Sequence, residues 1–190
     1  MDRGTTVDRT TTPAREWLRD RLDRDVEGGV RALLGSMTER LAVAAGTAAT
    51  LRMLSADGEW LLPLTAHHPD PGLTAAMTAT MDATAQRSRI GLWRPVVEER
   101  CPVRYRVESG HPPPETSPEQ LRFLQRFPIT AVVGVPVVYR DRLLGGAALV
   151  RFAADQAFGD AEEALLTDFA RRVGILLGAL DECAGSARDR

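Results

Sequence analysis

The stretch that decides the fold is TAVVGVPVVYRDRLLGGAALVRFAADQAFGDAEEALLTDFARRVGILLGAL, residues 130–180. Within it, residues 132–139 and 143–152 are two apolar runs, the first of them rich in valine. Three polar residues at positions 140–142 separate the runs, which is the spacing of a hairpin with a polar turn. The stretch therefore predicts two antiparallel strands joined by a tight turn.

The end of the same stretch predicts a helix that packs on this hairpin. Asp160 is a suitable helix N-cap, because Glu163 follows it three residues later. Apolar residues then recur at helical spacing and define one face of residues 161–180. These residues are Leu165, Phe169, Val173, Leu176 and Leu180.

A second helix is predicted near the start of the chain. Apolar residues recur every three or four positions through residues 14–45, and only Gly28 and Gly29 interrupt the pattern. We expect a break or a bend at these glycines, because glycine is a poor helix former. The part after the glycines is expected to pack under the sheet.

Shorter patterns between the two helices predict the remaining elements. Residues 48–53 and 59–66 flank a Ser-Ala-Asp-Gly turn and predict a second hairpin, in which Pro63 indicates an edge strand. Residues 73–81 predict a short helix with Met77 and Met81 on one face, where methionine most often fills the core.

The middle of the chain predicts one further strand and one further helix. Residues 103–107 alternate apolar and polar side chains as a strand does. Ser117 with Gln120 forms a capping box for a helix that Pro128 ends. Pro136 conflicts with a central strand, so we expect a bulge or a ladder paired on one side only.

Composition excludes several classes of function. The chain has 190 residues with a formal net charge of -2, and all 24 of its basic residues are Arg. Without lysine there is no P-loop, Schiff-base or protein-kinase lysine. The basic residues are spread among acidic ones, so we expect neither nucleic acid nor a membrane surface as a partner. No run of 18 apolar residues occurs and the N-terminus lacks a signal-peptide core, so a cytoplasmic location is expected.

Few side chains are candidates for metal binding or catalysis. The histidines are His67, His68 and His111, and adjacent histidines on an extended segment point to opposite sides. Cys101 and Cys183 lie far apart without a CxxC pair, so free thiols are expected. No nucleophile elbow, HExxH helix or phosphate loop occurs, and we expect neither a cofactor nor an enzyme.

The stretch 132–152, followed by AFGDAEEALLTDFARRVGILLGAL, resembles the end of a GAF domain, where a hairpin precedes a helix opened by F-x-D/E-x-[DE]. The resemblance extends more weakly upstream and covers roughly residues 26–180. It implies an α/β (α+β) fold, with an antiparallel sheet, the N- and C-terminal helices on one face, and short helices and loops forming a pocket on the other. GAF domains are sensing and dimerisation modules attached to effectors such as kinases and phosphatases.

The resemblance places a ligand pocket between the sheet and residues 83–127. Arg94 next to Trp93 is the sharpest candidate, because a guanidinium beside an aromatic wall suits a carboxylate, a phosphate or a stacked ring. The alternative is that Trp93 belongs to the core and Arg94 to the surface. The full set of candidate ligand-binding residues is Trp93, Arg94, Tyr105, Phe123, Phe127, Thr130, Val132 and His67.

Two functions stay open at this point. The first is a small-molecule sensor in bacterial signal transduction, which acts through a homodimer formed by the terminal helices. The second is a ligand-free dimerisation or partner-docking scaffold, whose own large side chains fill the pocket. The expected domain organisation is a disordered tail (1–13), a helical extension (14–29), a GAF-like domain (30–182) and a polar tail (183–190).

Overall fold

The structure is a computed structural model that describes residues 11–108, 111–152 and 156–188, with side chains described from residue 27 to residue 182. Of the tail predicted at residues 1–13, residues 1–10 lie outside the described residues, whereas residues 11–13 are helical. The elements in chain order are α1 (Thr11–Ala45), β1 (Ala48–Leu54), β2 (Leu61–His67), α2 (Pro71–Ala83), β3 (Val103–Arg106), α3 (Pro118–Arg126), β4 (Ile129–Tyr139), β5 (Arg142–Phe152) and α4 (Asp160–Arg188). Between α2 and β3 the chain forms two 3₁₀ turns, Arg87–Arg89 and Gly91–Trp93, and one π-helical turn, Pro95–Glu99.

The five strands form one antiparallel sheet in the order β2-β1-β5-β4-β3. β2 lies at one edge, which agrees with the prediction from Pro63. The hairpin of β4 and β5 closes with Tyr139 paired to Arg142, so the turn contains only Arg140 and Asp141. Arg140 has a φ of 51° there, the positive value that a tight hairpin turn requires. The antiparallel α/β fold is confirmed.

Pro136 lies at a position of β4 where only one side of the strand is paired, so the lack of a backbone N–H breaks no hydrogen bond on the other side. It pairs with Gly146 on β5, whereas the pairing of β4 with β3 ends at Gly134. The opposite side of β4 therefore carries no strand at Pro136, and the predicted one-sided ladder is confirmed.

Two helical layers cover the two faces of the sheet. On one face, Thr38 of α1 contacts Thr65 of β2, with 2.7 Å between the two hydroxyl oxygens. α4 lies on the same face so close to β4 that a Cβ added at Gly174 would be 2.2 Å from the carbonyl oxygen of Val138. α2, α3 and the turns between them cover the other face. The terminal helices thus share one face, as predicted.

Three local predictions about α4 need correction. Its N-cap is Gly159, because the Gly159 N–H donates to a carboxylate oxygen of Glu162 (3.0 Å) and the Gly159 carbonyl accepts the first helical bond. The buried stripe contains Leu166, Phe169, Ala170 and Val173, whereas Leu165 is 39% exposed, so the face that packs on the sheet differs from the predicted one. The helix continues to Arg188, beyond the predicted end at residue 180.

α1 does not break at Gly28 and Gly29; the helix continues from Thr11 to Ala45. Each glycine costs a helix only about 1 kcal/mol relative to alanine and keeps its backbone N–H, so two glycines weaken a 35-residue helix without ending it. The chain divides into two units, Met1–Leu33 and Leu34–Arg190. The boundaries between the four predicted segments stay predictions.

In the part of the chain that the structure describes, no helix is long and apolar enough to cross a membrane.

Substituting helical glycines tests the close approach of α4 to the sheet. Gly174→Ala is expected to lower the free energy of unfolding by about 1–3 kcal/mol, because the new methyl group would overlap backbone that cannot move aside. Gly29→Ala is the matched control, since a Cβ added there meets nothing within 4 Å in the described part of the chain beyond its own turn of helix, and it should raise stability by up to about 1 kcal/mol. Urea denaturation measures both; an equal effect of the two substitutions would contradict this packing.

Candidate functional site

A cavity of about 90 Å³ lies between the sheet and the α2–α3 side of the domain. Its floor consists of small side chains on neighbouring strands. Thr50 on β1 pairs with Ala148 on β5, and Ala148 pairs with Gly134 on β4. Because these three neighbouring residues are small, the side chains of the α2–α3 side do not fill the space above them, and the cavity remains.

The roof comes from three segments. α2 contributes Met77, Thr80 and Met81, the 3₁₀ turn at Gly91–Trp93 contributes Leu92 and Trp93, and α3 contributes Gln120, Phe123 and Leu124. The prediction placed the roof within residues 83–127 and treated the two methionines as core filler. Both methionines are buried, and both also line the cavity.

Gln120 holds the turn of the roof in place. Its side-chain oxygen accepts hydrogen bonds from the N–H groups of Leu92 and Ser117 (3.0 Å each), and its side-chain nitrogen donates to the carbonyl of Ile90 (3.1 Å). The predicted capping box is therefore present, and the same side chain also connects α3 to the turn. Gly91 is required there, because it has a φ of 53° and a Cβ would lie 2.0 Å from the Gln120 oxygen.

Arg52 is the charged residue that sequence reasoning missed. It lies on β1, lines the cavity and is only 2% exposed. Its Nη1 donates to the carbonyls of Met81 (3.1 Å) and Leu61 (3.4 Å), and its Nη2 donates to the Thr84 hydroxyl (2.9 Å). Met81 and Thr84 are at the C-terminal end of α2, where carbonyls lack helical partners, so Arg52 caps this helix.

The Nε atom of Arg52 has no hydrogen-bond partner. Among the described residues, it is the one buried side-chain nitrogen or oxygen that makes no hydrogen bond. Burial lowers the pKa of Arg52 to about 9, and the charge of Asp82 opposes part of this shift. The guanidinium therefore stays cationic at neutral pH.

Trp93 stands beside this cation. The Arg52 guanidinium carbon lies 5.5 Å from the centre of the indole ring, within the range of a cation–π interaction. Gly146, the cross-strand neighbour of Arg52, makes room for the ring, because a Cβ there would be 2.5 Å from it.

Tyr105 on β3 adds a polar group at the other end of the cavity. Its hydroxyl donates to the carbonyl of Leu92 (3.3 Å). Burial, together with the charges of Glu115 and Glu99, raises its pKa to about 12. The hydroxyl therefore keeps its proton and remains a donor throughout the neutral range.

The structure brings together only half of the candidates chosen from the sequence. Trp93, Tyr105, Phe123 and Val132 line the cavity, whereas Arg94, Phe127, Thr130 and His67 do not. Arg94 is exposed and points away from its buried neighbour Trp93, because consecutive residues of a tight helical turn face different directions. His67 ends the edge strand β2, and Phe127 lies in a separate cleft between α2 and α3. These four are not part of the site described here.

The missed residues carried a weak signal. Arg52 is the one charged residue in the strand AATLRML, and period-two alternation places it on the same face as Thr50. A charge on a strand that helices cover on both faces has to meet partners inside the protein. The sequence shows the charge but does not show that both faces of β1 are covered.

No cluster of three or more His, Cys, Asp or Glu residues that could hold a metal ion occurs within the described ranges. Cys101 is a free, exposed thiol, as predicted, whereas the Cys183 side chain lies outside the described part. The polar groups that line the cavity are the hydroxyls of Thr50, Thr80 and Tyr105, the amide of Gln120, the indole N–H of Trp93 and the guanidinium of Arg52. Such groups can bind a ligand by hydrogen bonds and by charge.

Replacing Gln120 tests its role in holding the roof. Gln120→Met should lower the free energy of unfolding by about 1–3 kcal/mol for each buried group that finds no other partner, because Leu92, Ser117 and Ile90 lose their hydrogen bonds. Gln125→Met, on the exposed side of α3, is the control and should change stability little. Thermal and urea denaturation measure both, and equal stabilities of the two variants would show that Gln120 does not hold the turn.

Known proteins resemble this chain in family and in fold. A family model described as GAF domain matches residues 30–177. No curated protein gives a significant match to the sequence. Among solved structures, the GAF domain/HD domain protein from Geobacter sulfurreducens is 14% identical with a TM-score of 0.66, over 80% of this chain and 94% of that chain.

Two further structures share the fold at similarly low identity. The GAF domain of an Acinetobacter phosphoenolpyruvate-protein phosphotransferase is 18% identical with a TM-score of 0.59, over 82% of this chain and 86% of that chain. The GAF-B domain of DevS from Mycobacterium smegmatis is 15% identical with a TM-score of 0.56, over 85% of this chain and 99% of that chain. GAF domains are typically sensory or regulatory parts of signalling proteins. With its model matching most of the sequence and with this sheet and helix arrangement, the chain belongs to the GAF domain family.

Proposed function

We propose that this GAF domain is a non-catalytic sensor that binds a small molecule in the cavity above Thr50, Ala148 and Gly134. The observation that carries the proposal is the composition of this cavity: apolar walls surround a few polar groups, one of them the buried cation Arg52. Small-molecule sites have this character, with apolar surface for affinity and a few placed polar groups for orientation.

The size of the cavity limits how binding takes place. Its volume of about 90 Å³ is roughly three times the ~30 Å³ that one water molecule occupies in the liquid, and well below the ~300 Å³ at which typical ligand sites begin. The ligand is therefore small, or the roof moves outward to admit it. A moving roof supports sensing, because a ligand shifts an equilibrium only when it prefers one conformation.

The proposed output is a change in a homodimer. The outer face of α4 carries Leu165, Asp168, Arg172 and Ile175 at intervals of three and four residues, the spacing that lets two helices pair. Leu165 is 39% exposed and Ile175 is 50% exposed. Asp168 pairs with Arg172 within one copy (2.7 Å), and the same two charges complement each other across a two-fold axis.

The proposed setting is bacterial cytoplasmic signal transduction with an effector such as a kinase or a phosphatase. GAF domains with this fold occur in a phosphotransferase and in an HD domain protein, which supports a regulatory setting without identifying the effector. A ligand-free scaffold is the second candidate, and the small volume of the cavity favours it.

Native mass spectrometry tests ligand binding directly. Protein purified without refolding from its native host should carry an extra mass that disappears on denaturation. Val132→Phe is the control, because it fills the cavity from β4 and should abolish the extra mass while the thermal unfolding temperature shows that the variant is folded. Wild-type protein with no added mass, and no stabilisation by any metabolite mixture from that host, would favour the scaffold.

Sedimentation analysis tests the dimer. The wild-type protein should have the mass of a dimer at micromolar concentration, and Ile175→Glu should convert it to a monomer, because a charge would be buried in the helix pair. Leu62→Glu, on the edge strand and similarly exposed at 45%, should remain a dimer. A monomeric wild type would refute the proposed output.

A further inference from the structure

Arg52 has hydrogen-bond donors that the protein does not use. A guanidinium carries five N–H groups. Three of them meet the Leu61 carbonyl, the Met81 carbonyl and the Thr84 hydroxyl. The Nε–H has no partner among the described residues. Nη2 carries two N–H groups and makes one hydrogen bond in the described part of the chain, so its second N–H is also unused.

The two unused donors share one edge of the guanidinium. The Met81 carbonyl oxygen and the Thr84 hydroxyl oxygen are 3.4 Å apart, so they accept as neighbours from the end formed by Nη1 and Nη2. The side edge, formed by Nε and Nη2, is left. This edge presents two parallel N–H groups, the geometry that binds both oxygens of a carboxylate.

The positive charge of Arg52 is not neutralised by a carboxylate in contact with it among the described residues. The structure gives Arg52 no ion pair with a carboxylate in the described part of the chain; its partners are carbonyls, a hydroxyl and the ring of Trp93. Asp82 influences it only through its charge. A cation removed from water without a counter-ion is costly, and an anion that enters the cavity lowers this cost.

The remaining walls determine the rest of the ligand. Met77, Leu92, Phe123, Val132 and Val150 surround the cavity with apolar surface. One cation balances one negative charge, so a phosphate dianion would place its second charge against these side chains. An apolar body attached to a single carboxylate satisfies both the walls and the guanidinium edge.

We propose that the cavity selects small monocarboxylates with an apolar body, bound through the Nε and Nη2 edge of Arg52. This inference rests on the proposed small-molecule site and specifies its ligand class. Arg52 then has two roles: the Nη1 and Nη2 end of its guanidinium caps α2, and the Nε and Nη2 edge binds the ligand. A change in the position of the guanidinium on binding is therefore transmitted to the end of α2.

The test compares matched probes by calorimetry and by the intrinsic fluorescence of the protein. Butyrate and benzoate are the carboxylates, butyramide and benzamide are their neutral isosteres, and inorganic phosphate is the anion without an apolar body. The titrations extend to millimolar concentrations, because probes this small make few contacts with the protein and bind weakly. We expect saturable binding of a carboxylate, with the amide and phosphate at least ten-fold weaker.

Two variants locate the binding. Arg52→Lys keeps the charge but removes the paired donors, and it should weaken carboxylate binding by about ten- to hundred-fold, the worth of a charge-assisted hydrogen bond. Because Arg52→Lys also disturbs the cap of α2, Val132→Phe provides a second variant. It leaves Arg52 and its partners intact, fills the cavity, and should abolish binding.

The outcomes separate the two proposals. Carboxylate binding that both variants remove supports the inference. Equal binding of acid and amide that Val132→Phe removes overturns the monocarboxylate inference, and the small-molecule site stands. Binding that survives in Val132→Phe overturns the location, and absence of binding by every probe overturns the ligand class, while a natural ligand detected by native mass spectrometry would still support the sensor.

Discussion

Burial of the Arg52 guanidinium on an inner strand of the sheet is the constraint on which this side of the domain depends. Removal of a cation from water costs several kcal/mol unless acceptors replace the water, and among the described residues no carboxylate contacts the guanidinium. The acceptors are backbone carbonyls and one hydroxyl, most of them at the C-terminal end of α2, where the helix dipole is negative. Arg52 therefore links the end of α2 to the sheet and is the charged side chain of the cavity.

The same arrangement gives a route from ligand to output. α2 packs on the edge strand β2 and on α3, and Gln120 of α3 holds the turn that carries Trp93. A ligand that accepts hydrogen bonds from the Nε and Nη2 edge of Arg52 would act on the guanidinium that also caps α2. Ligand binding and the position of the roof would therefore be coupled. In the proposed sensor, this coupling has to favour one arrangement of the α4 faces over another, because only differential affinity shifts an equilibrium.

Local chemistry made most of the fold predictable. Period-two alternation and turn residues defined both hairpins, and the one-sided pairing of Pro136 followed from its missing N–H. Errors arose at one helix cap and at one pair of glycines: Gly159 caps α4 instead of Asp160, and α1 continues through Gly28 and Gly29. The site was predictable only in part. Aromatic residues such as Trp93 are evident candidates in a sequence. The role of Arg52 depends instead on its burial and on the acceptors that the fold places around it, which the sequence does not show.

The central claim is that the buried Nε–H of Arg52 donates a hydrogen bond to the ligand. Nuclear magnetic resonance of arginine side chains tests this claim most directly. In ¹⁵N-labelled protein, the Nε–H signal missing from the Arg52→Lys spectrum identifies Arg52 among the 24 arginines. The account predicts that benzoate, and not benzamide, moves this signal strongly downfield, because the proton enters a charge-assisted hydrogen bond. An Arg52 signal that stays unchanged at saturating benzoate would contradict it.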